Sequence, residues 1–162
     1  MRTIPILLAA LMLLAAAGAT AQSEVATPEQ LEAVINFDAS IDSIAALVRD
    51  QAYDEIDTTR YYILEGSVAS TMIFDPNPET FQAVIELVSS AWQGLEEITV
   101  SHIYVLVEGP EYAARLPERL PRDPGPEIIQ TNQELLVIGP FIGTAMLDET
   151  TEVAVIQAIE LR

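Results

Sequence analysis

His102, the only histidine, is the one side chain in the sequence that could serve as an imidazole base. A Ser-His-Asp triad would need it, because the base of such a triad is an imidazole. His102 lies in an alternating stretch and shares a face with Val100 and Tyr104, which is typical of a hydrogen-bonded histidine within a strand. With one histidine and no cysteine, the chain cannot build a multi-histidine or thiolate zinc site. We therefore predict no catalytic histidine.

Carboxylates are the next candidates, because the sequence has 25 acidic residues. Two carboxylates can catalyse glycoside hydrolysis, and oxygen ligands can bind calcium weakly. Neighbouring acids occur at three predicted turns, and none of these turns has the glycine-containing pattern of an EF-hand loop. The acids concerned are Asp54 and Asp57, Glu96 and Glu97, and Asp148, Glu149 and Glu152. We predict solvated turns, with no catalytic residue, metal or cofactor, and keep a carboxylate-based hydrolase as an alternative.

Aromatic and arginine side chains give the candidate ligand-binding residues. Trp92 and Tyr104 fall in the β-rich part of the chain, where exposed aromatic rings could stack on sugars or contact a peptide. Arg115, Arg119 and Arg122 lie in a loop over residues 110–126 that also holds five of the ten prolines. Because proline fixes φ, this loop should be stiff. Arg115 and Arg119 could share a face if a short helix near Glu111 to Leu116 extends far enough.

The charge balance restricts the partners. The net charge is −18, and no lysine is present. Affinity for nucleic acid comes largely from cations that neutralise phosphates, and anionic membranes attract basic segments. The composition therefore predicts no nucleic-acid partner and no stable membrane insertion. A protein or a saccharide is the expected ligand, and homo-oligomerisation stays open.

Residues 1–21 have the layout of a cleavable signal peptide. Arg2 precedes an apolar run over residues 4–17, and Ala19-Thr20-Ala21 supplies small residues for cleavage. The run is shorter than the roughly 20 residues that span a bilayer. The sequence thus predicts an exported, periplasmic or extracellular protein.

The remaining chain divides into a partly helical segment, residues 22–57, and a β domain, residues 58–162. Thr27 and Ser40 are suited to start two helices. Strands are expected over residues 61–74, with a bulge or bend at Gly66, and over residues 98–107, 135–142 and 153–161. Residues 78–95 fit either a helix packed on an antiparallel sheet, an α+β arrangement, or one more strand.

With residues 78–95 as a strand, the order of elements resembles the OB-fold, a small five-stranded β-barrel. The resemblance rests on a long first strand interrupted at Gly66, a hairpin, a third strand, a short helix and a last pair of strands. It brings no specific motif. We expect a mainly β, non-catalytic binding or interaction domain of the cell envelope, with an envelope structural or oligomeric component as an alternative.

Overall fold

The computed structural model describes residues 26–93 and 97–162, so the predicted leader lies outside the described residues. The elements in chain order are α1 (Pro28–Val34), β1 (Ile35–Asn36), α2 (Ile41–Arg49), β2 (Tyr61–Asp75), β3 (Gln82–Gln93), β4 (Glu97–Glu108), α3 (Pro110–Ala113), β5 (Glu134–Met146), β6 (Glu152–Gln157) and β7 (Glu160–Leu161). A single 3-10 turn occupies Tyr53–Glu55. In the described part of the chain, no helix has the length and apolarity needed to cross a bilayer.

Both N-terminal helices begin where the sequence predicts. Thr27 and Gln30 form a reciprocal capping box at the start of α1. Ser40 and Ser43 do the same for α2, with the Ser43 amide donating to Ser40 Oγ at 3.1 Å. Side-chain caps of this kind satisfy amide donors that have no partner within the helix. The caps therefore fix where each helix starts.

The ambiguous segment is a strand. β3 pairs antiparallel with β2 on one side and with β4 on the other. Its side chains alternate, and the inward set is buried: Phe81 just before the strand, then Ala83, Ile85 and Leu87. A period of two residues places one set on the core, as a strand requires. The alternative helix packed on a sheet is therefore wrong.

Five strands close on themselves. Their order is β2-β3-β4-β6-β5, and β5 pairs back onto β2. All of these pairs are antiparallel except β4 with β6, which run parallel. The short helix α3 lies in the connection from β4 to β5. The fold is mainly β and has the predicted OB-like arrangement.

The core fills the inside of the ring and continues under α2. Ile41, Ile44 and Val48 of α2 are buried in the same cluster as the inward residues of the strands. Gly66 allows this packing, because a Cβ there would lie 2.6 Å from Ile41 Cδ1 and 2.9 Å from the Val88 carbonyl oxygen. Of the two features predicted at Gly66, the bulge is wrong, because β2 shifts register between Val68 and Ser70 and again between Ile73 and Asp75; the bend stays a prediction.

The predicted last strand is divided in two. β6 pairs with both β4 and β5 and ends at Gln157. The next two amides bond to carbonyls of different strands, Ala158 to Leu106 of β4 and Ile159 to Ile138 of β5. β7 then pairs with β5. The prediction of one continuous strand over residues 153–161 is wrong because the strand is interrupted at Ala158 and Ile159.

Candidate ligand-binding groove

A groove runs across the outer face of the closed sheet, and neighbouring strands supply its floor in register. Val84 of β3 lies opposite Leu106 of β4. One row along, Glu86 lies opposite Tyr104, and Tyr104 lies opposite Val155 of β6. These residues point away from the core because they alternate with the fully buried ones on the same strands. The floor is therefore apolar, with one carboxylate and one phenol.

Two strand ends form the walls. On one side are Met72 and Phe74, at the end of β2. On the other side are Ala145 and Met146, at the end of β5. The space between them has a volume of about 330 Å³. Met72, Phe74 and Met146 are 59%, 61% and 56% exposed. Three large apolar side chains thus face solvent around one concavity.

Glu86 is held in place within the floor. Its carboxylate accepts a hydrogen bond from Ser70 Oγ at 2.7 Å, and its other oxygen lies 2.9 Å from Nδ1 of His102. The Glu86 side chain is 15% exposed. His102 is thus a hydrogen-bonded strand histidine, as predicted from its position. In this position it orients a groove carboxylate and contacts no serine nucleophile.

The groove and its rim carry negative charge. Burial, together with the nearby carboxylates of Glu86 and Asp148, raises the pKa of the Tyr104 phenol. Asp148 lies just beyond the β5 wall, where hydrogen bonds from Thr150 and Thr151 lower its pKa to about 2. Within the described part of the chain, the ionisable residues lining the groove are Glu86 and Tyr104. The groove therefore presents no cation to a ligand.

A second, more polar concavity of about 350 Å³ lies between α2 and the turn after β5. It is lined by Arg49, whose guanidinium contacts Asp50 at 3.3 Å, and by the threonines of the turn. Glu152 at its edge accepts hydrogen bonds from Thr144 and Tyr53, which lower its pKa. The hydrogen bond from Tyr53 ties the turn to the N-terminal segment, so the charged groups of Arg49 and Glu152 already have partners.

The residues selected from the sequence do not form one site. Tyr104 lies in the groove floor. The backbone of Trp92 pairs with Ile98 far along the β3–β4 hairpin. Arg115 donates to the Leu161 carbonyl at 3.1 Å, which attaches the loop to the last strand. Their role as ligand-binding residues stays a prediction.

The loop arginines do not share a helical face. The helix α3 ends at Ala113, before any of them, so the expectation that the helix extends to align Arg115 and Arg119 is wrong. Arg119 and Arg122 are exposed in the following irregular segment.

The three wall residues Met72, Phe74 and Met146 were not selected from the sequence. Met72 and Phe74 alternate just before the Asp75-Pro76 turn, which was the available signal for these two.

The neighbouring acidic residues selected from the sequence do not form a shared site. Asp57 and Asp148 each cap their own turn through the amide two residues ahead. In the described residues, no cluster of three or more potential ligands could hold a metal ion. Turn carboxylates engaged with their own backbone do not face a common substrate position, and a two-carboxylate hydrolase gains no support from this geometry.

No family model matches this sequence, and no curated protein matches it. Solved structures of similar fold include a small single-stranded DNA-binding protein from Mycoplasma pneumoniae, with 9% identity over 63% of this chain and 90% of that chain and a TM-score of 0.39. Another comes from Streptomyces coelicolor, with 12% identity over 63% and 89% and a TM-score of 0.38. A third is a Plasmodium falciparum SSB in complex with single-stranded DNA, with 10% identity over 63% and 89% and a TM-score of 0.40.

The OB-like fold rests on the strand order and pairing described above, and these neighbours show no specific family. They contradict the predictions of an exported envelope domain, with its structural or oligomeric alternative, of an exported location, and of no nucleic-acid partner. The finding that overturns them is that each neighbour is a single-stranded DNA-binding protein. At these identities the likeness concerns the fold, and the DNA that the neighbours bind is their own property.

Proposed function

We propose that this chain is a ligand-binding module whose binding site is the groove between the ends of β2 and β5. The observation that carries the proposal is the exposure of Met72, Phe74 and Met146 around one concavity of about 330 Å³. Ligand pockets are concave, mostly apolar and furnished with a few polar groups that set orientation. Glu86 and Tyr104 are such groups here.

The groove walls supply the apolar area that a ligand can cover. Fully burying a large apolar side chain is worth about 1.5–3 kcal/mol relative to leaving it exposed. The wall residues are more than half exposed in the free protein, so a ligand that covers them recovers much of that energy. Isolated exposed apolar residues need no explanation, but three around one groove mark an interaction site.

The floor restricts the ligand's charge. Glu86 is only 15% exposed and accepts two hydrogen bonds, so it stays fixed when a ligand enters. An anionic group placed over it would be repelled at short range. The groove therefore favours an uncharged or cationic ligand with an apolar body.

The test is a titration with Nile red, a neutral apolar dye, followed by its fluorescence. Replacing Phe74 with serine should weaken binding by about tenfold, because one wall is lost. Leu120→Ser is the matched control, since Leu120 is 59% exposed but lies outside the groove. Equal loss in both variants, or in neither, would remove the groove from consideration.

The same variants are then titrated with a fluorescent oligo-dT strand. Bases stack on aromatic side chains, so Phe74 and Tyr104 could in principle support such binding. Oligo-dT binding that Phe74→Ser abolishes and Leu120→Ser preserves would assign the groove to single-stranded nucleic acid and contradict the ligand charge argued above. Dye binding that Phe74→Ser weakens and Leu120→Ser preserves is the result that the proposal expects.

A further inference from the structure

One margin of the groove is an open strand edge. β2 pairs with β5 only from Tyr61 to Ser67, and with β3 from Ser67 onward. At Val68 the outer edge still bonds to the loop through Asn132 and Gln133. From Ser70 to Asp75, the strands of the described chain that pair with β2 all lie on its β3 side.

Natural sheets guard open edges with charges, prolines, bulges or covering segments. Register shifts of β2 between Val68 and Ser70 and between Ile73 and Asp75 flank this edge, but among the described residues no strand covers it between them. The run Ser70-Thr71-Met72-Ile73-Phe74 has no charge and no proline, and four of its five side chains are exposed. The groove walls Met72 and Phe74 belong to this same run. The unpaired backbone edge and one wall of the groove thus belong to the same segment of β2.

We propose that the ligand is an extended segment of another polypeptide, which adds as a strand to the Ser70–Phe74 edge of β2 and packs alternate apolar side chains against Met72 and Phe74 of the groove wall. This inference rests on the proposed function and names its ligand class. Strand addition supplies main-chain hydrogen bonds for affinity, while pockets for alternate side chains supply specificity. A small apolar molecule could fill the groove but would leave the edge unpaired.

The negative charges at the edge and around the groove determine which polypeptide segment can bind. Asp75 ends the open edge, Glu86 lies in the floor, and Asp148 stands beyond the opposite wall. A second copy of the chain brings a net charge of −18 and is repelled. A segment that alternates apolar residues with lysine or arginine complements both the groove and its rim.

The experiment uses the chain with a fluorescent decapeptide of alternating valine and lysine, and two matched peptides. One replaces lysine with glutamate. The other keeps lysine but carries N-methyl groups on alternate amides, which removes main-chain donors from one edge. We expect the parent peptide to bind at least about tenfold more tightly than either. A methylated peptide that binds as well as the parent overturns strand addition.

Variants of the protein separate the contribution of the apolar wall from that of the negative charge. Phe74→Ser should weaken peptide binding by about tenfold, and Leu120→Ser should leave it unchanged. Asp75→Asn should weaken the lysine peptide by about threefold while leaving Nile red unaffected, with Asp123→Asn in the distant loop as control. No loss with Asp75→Asn contradicts the charge argument.

The outcomes distinguish this inference from the proposed function. Dye binding in the groove with no peptide binding overturns the polypeptide ligand and leaves the module intact. Failure of both overturns both. The remaining alternative is that a second copy of the chain pairs with the edge, and sedimentation at low salt tests it. A dimer that Phe74→Ser dissociates would assign the edge to a second copy and overturn the proposal of a basic partner.

Discussion

Gly139 is the position where closure of the ring can be tested most directly. It lies opposite Tyr62 in the β2–β5 pairing that closes the sheet. A Cβ at this residue would be 1.9 Å from the Gln157 carbonyl oxygen, at the end of β6. Real Cβ contacts stay beyond 3.0 Å, so an alanine must displace backbone by at least 1.1 Å. The atom in the way is main chain and cannot rotate aside.

The magnitude follows from two opposing effects. Overpacking that moves backbone costs about 3 kcal/mol, at the upper end of its usual range. Replacing glycine by alanine stabilises by up to about 1 kcal/mol through the entropy of the unfolded chain. Gly139→Ala should therefore lower the free energy of unfolding by about 2 kcal/mol, and the thermal midpoint by roughly 6 °C.

Urea unfolding followed by circular dichroism measures this difference. The matched control is Gly125→Ala, where the close contacts are with the flexible, exposed carboxylate of Glu127. That side chain can swing away, so the control should stay within about 0.5 kcal/mol of the parent. If Gly139→Ala is as stable as the control, β5 and β6 do not approach as closely as the fold requires, and the closure argument fails.

Two further substitutions test local contacts. Arg115→Ala should cost about 1.5 kcal/mol in urea unfolding, because the guanidinium that donates to the Leu161 carbonyl is lost, whereas exposed Arg119→Ala should change little; equal effects would contradict the attachment. Ser40→Ala should cost about 1 kcal/mol by removing the cap of α2, whose inner face is buried in the core. Thr27→Ala removes the cap of the wholly exposed α1 and should change global unfolding less; the reverse order would contradict the packing of α2.

The strands were largely predictable from local pattern, and the exceptions have a common cause. Residues 61–74 are rich in aromatic and β-branched residues, residues 98–107 alternate at first, and the two stretches form β2 and β4. Residues 78–95 satisfy two periodicities, and what decides between them is the presence of β2 and β4 on either side. The break after Gln157 is likewise set by carbonyls of β4 and β5, which lie far away in sequence.

The groove was only partly predictable for the same reason. Tyr104 was selected as an aromatic on a strand face, and it lies in the floor. Met72 and Met146 come from opposite halves of the domain and meet only because five strands close and curve. Arg115 was selected for its charge in a stiff loop, yet its guanidinium serves the chain's own backbone. Spacing in sequence cannot reveal such partners.

Acidity and turn chemistry act in opposite directions on stability as the pH falls. The chain carries a net charge of −18 near neutral pH, with an isoelectric point near 4.1. Protonation between these values relieves self-repulsion and should stabilise the fold. Several turn carboxylates behave differently, because hydrogen bonds to their ionised form lower their pKa in the folded state: from Thr59 to Asp57, from Thr80 to Asp75, and from Thr150 to Asp148.

The sign follows from linkage. A carboxyl whose pKa is lower folded than unfolded contributes stability that is complete above the unfolded value, 3.8 for aspartate. That stability is lost as the pH falls through the folded value, about 2 for Asp148. The thermal midpoint should therefore rise from pH 7 to about pH 4.5 and fall below about pH 3.

Added salt separates the two effects. Near 1 M sodium chloride the screening length is about 3 Å, so the rise on acidification should shrink while the loss below about pH 3 persists, because the turn hydrogen bonds are short. Circular dichroism melts at high dilution, at low and high salt, measure both limbs. A midpoint that falls steadily from pH 7 downward at low salt would show that self-repulsion does not govern the stability of this chain.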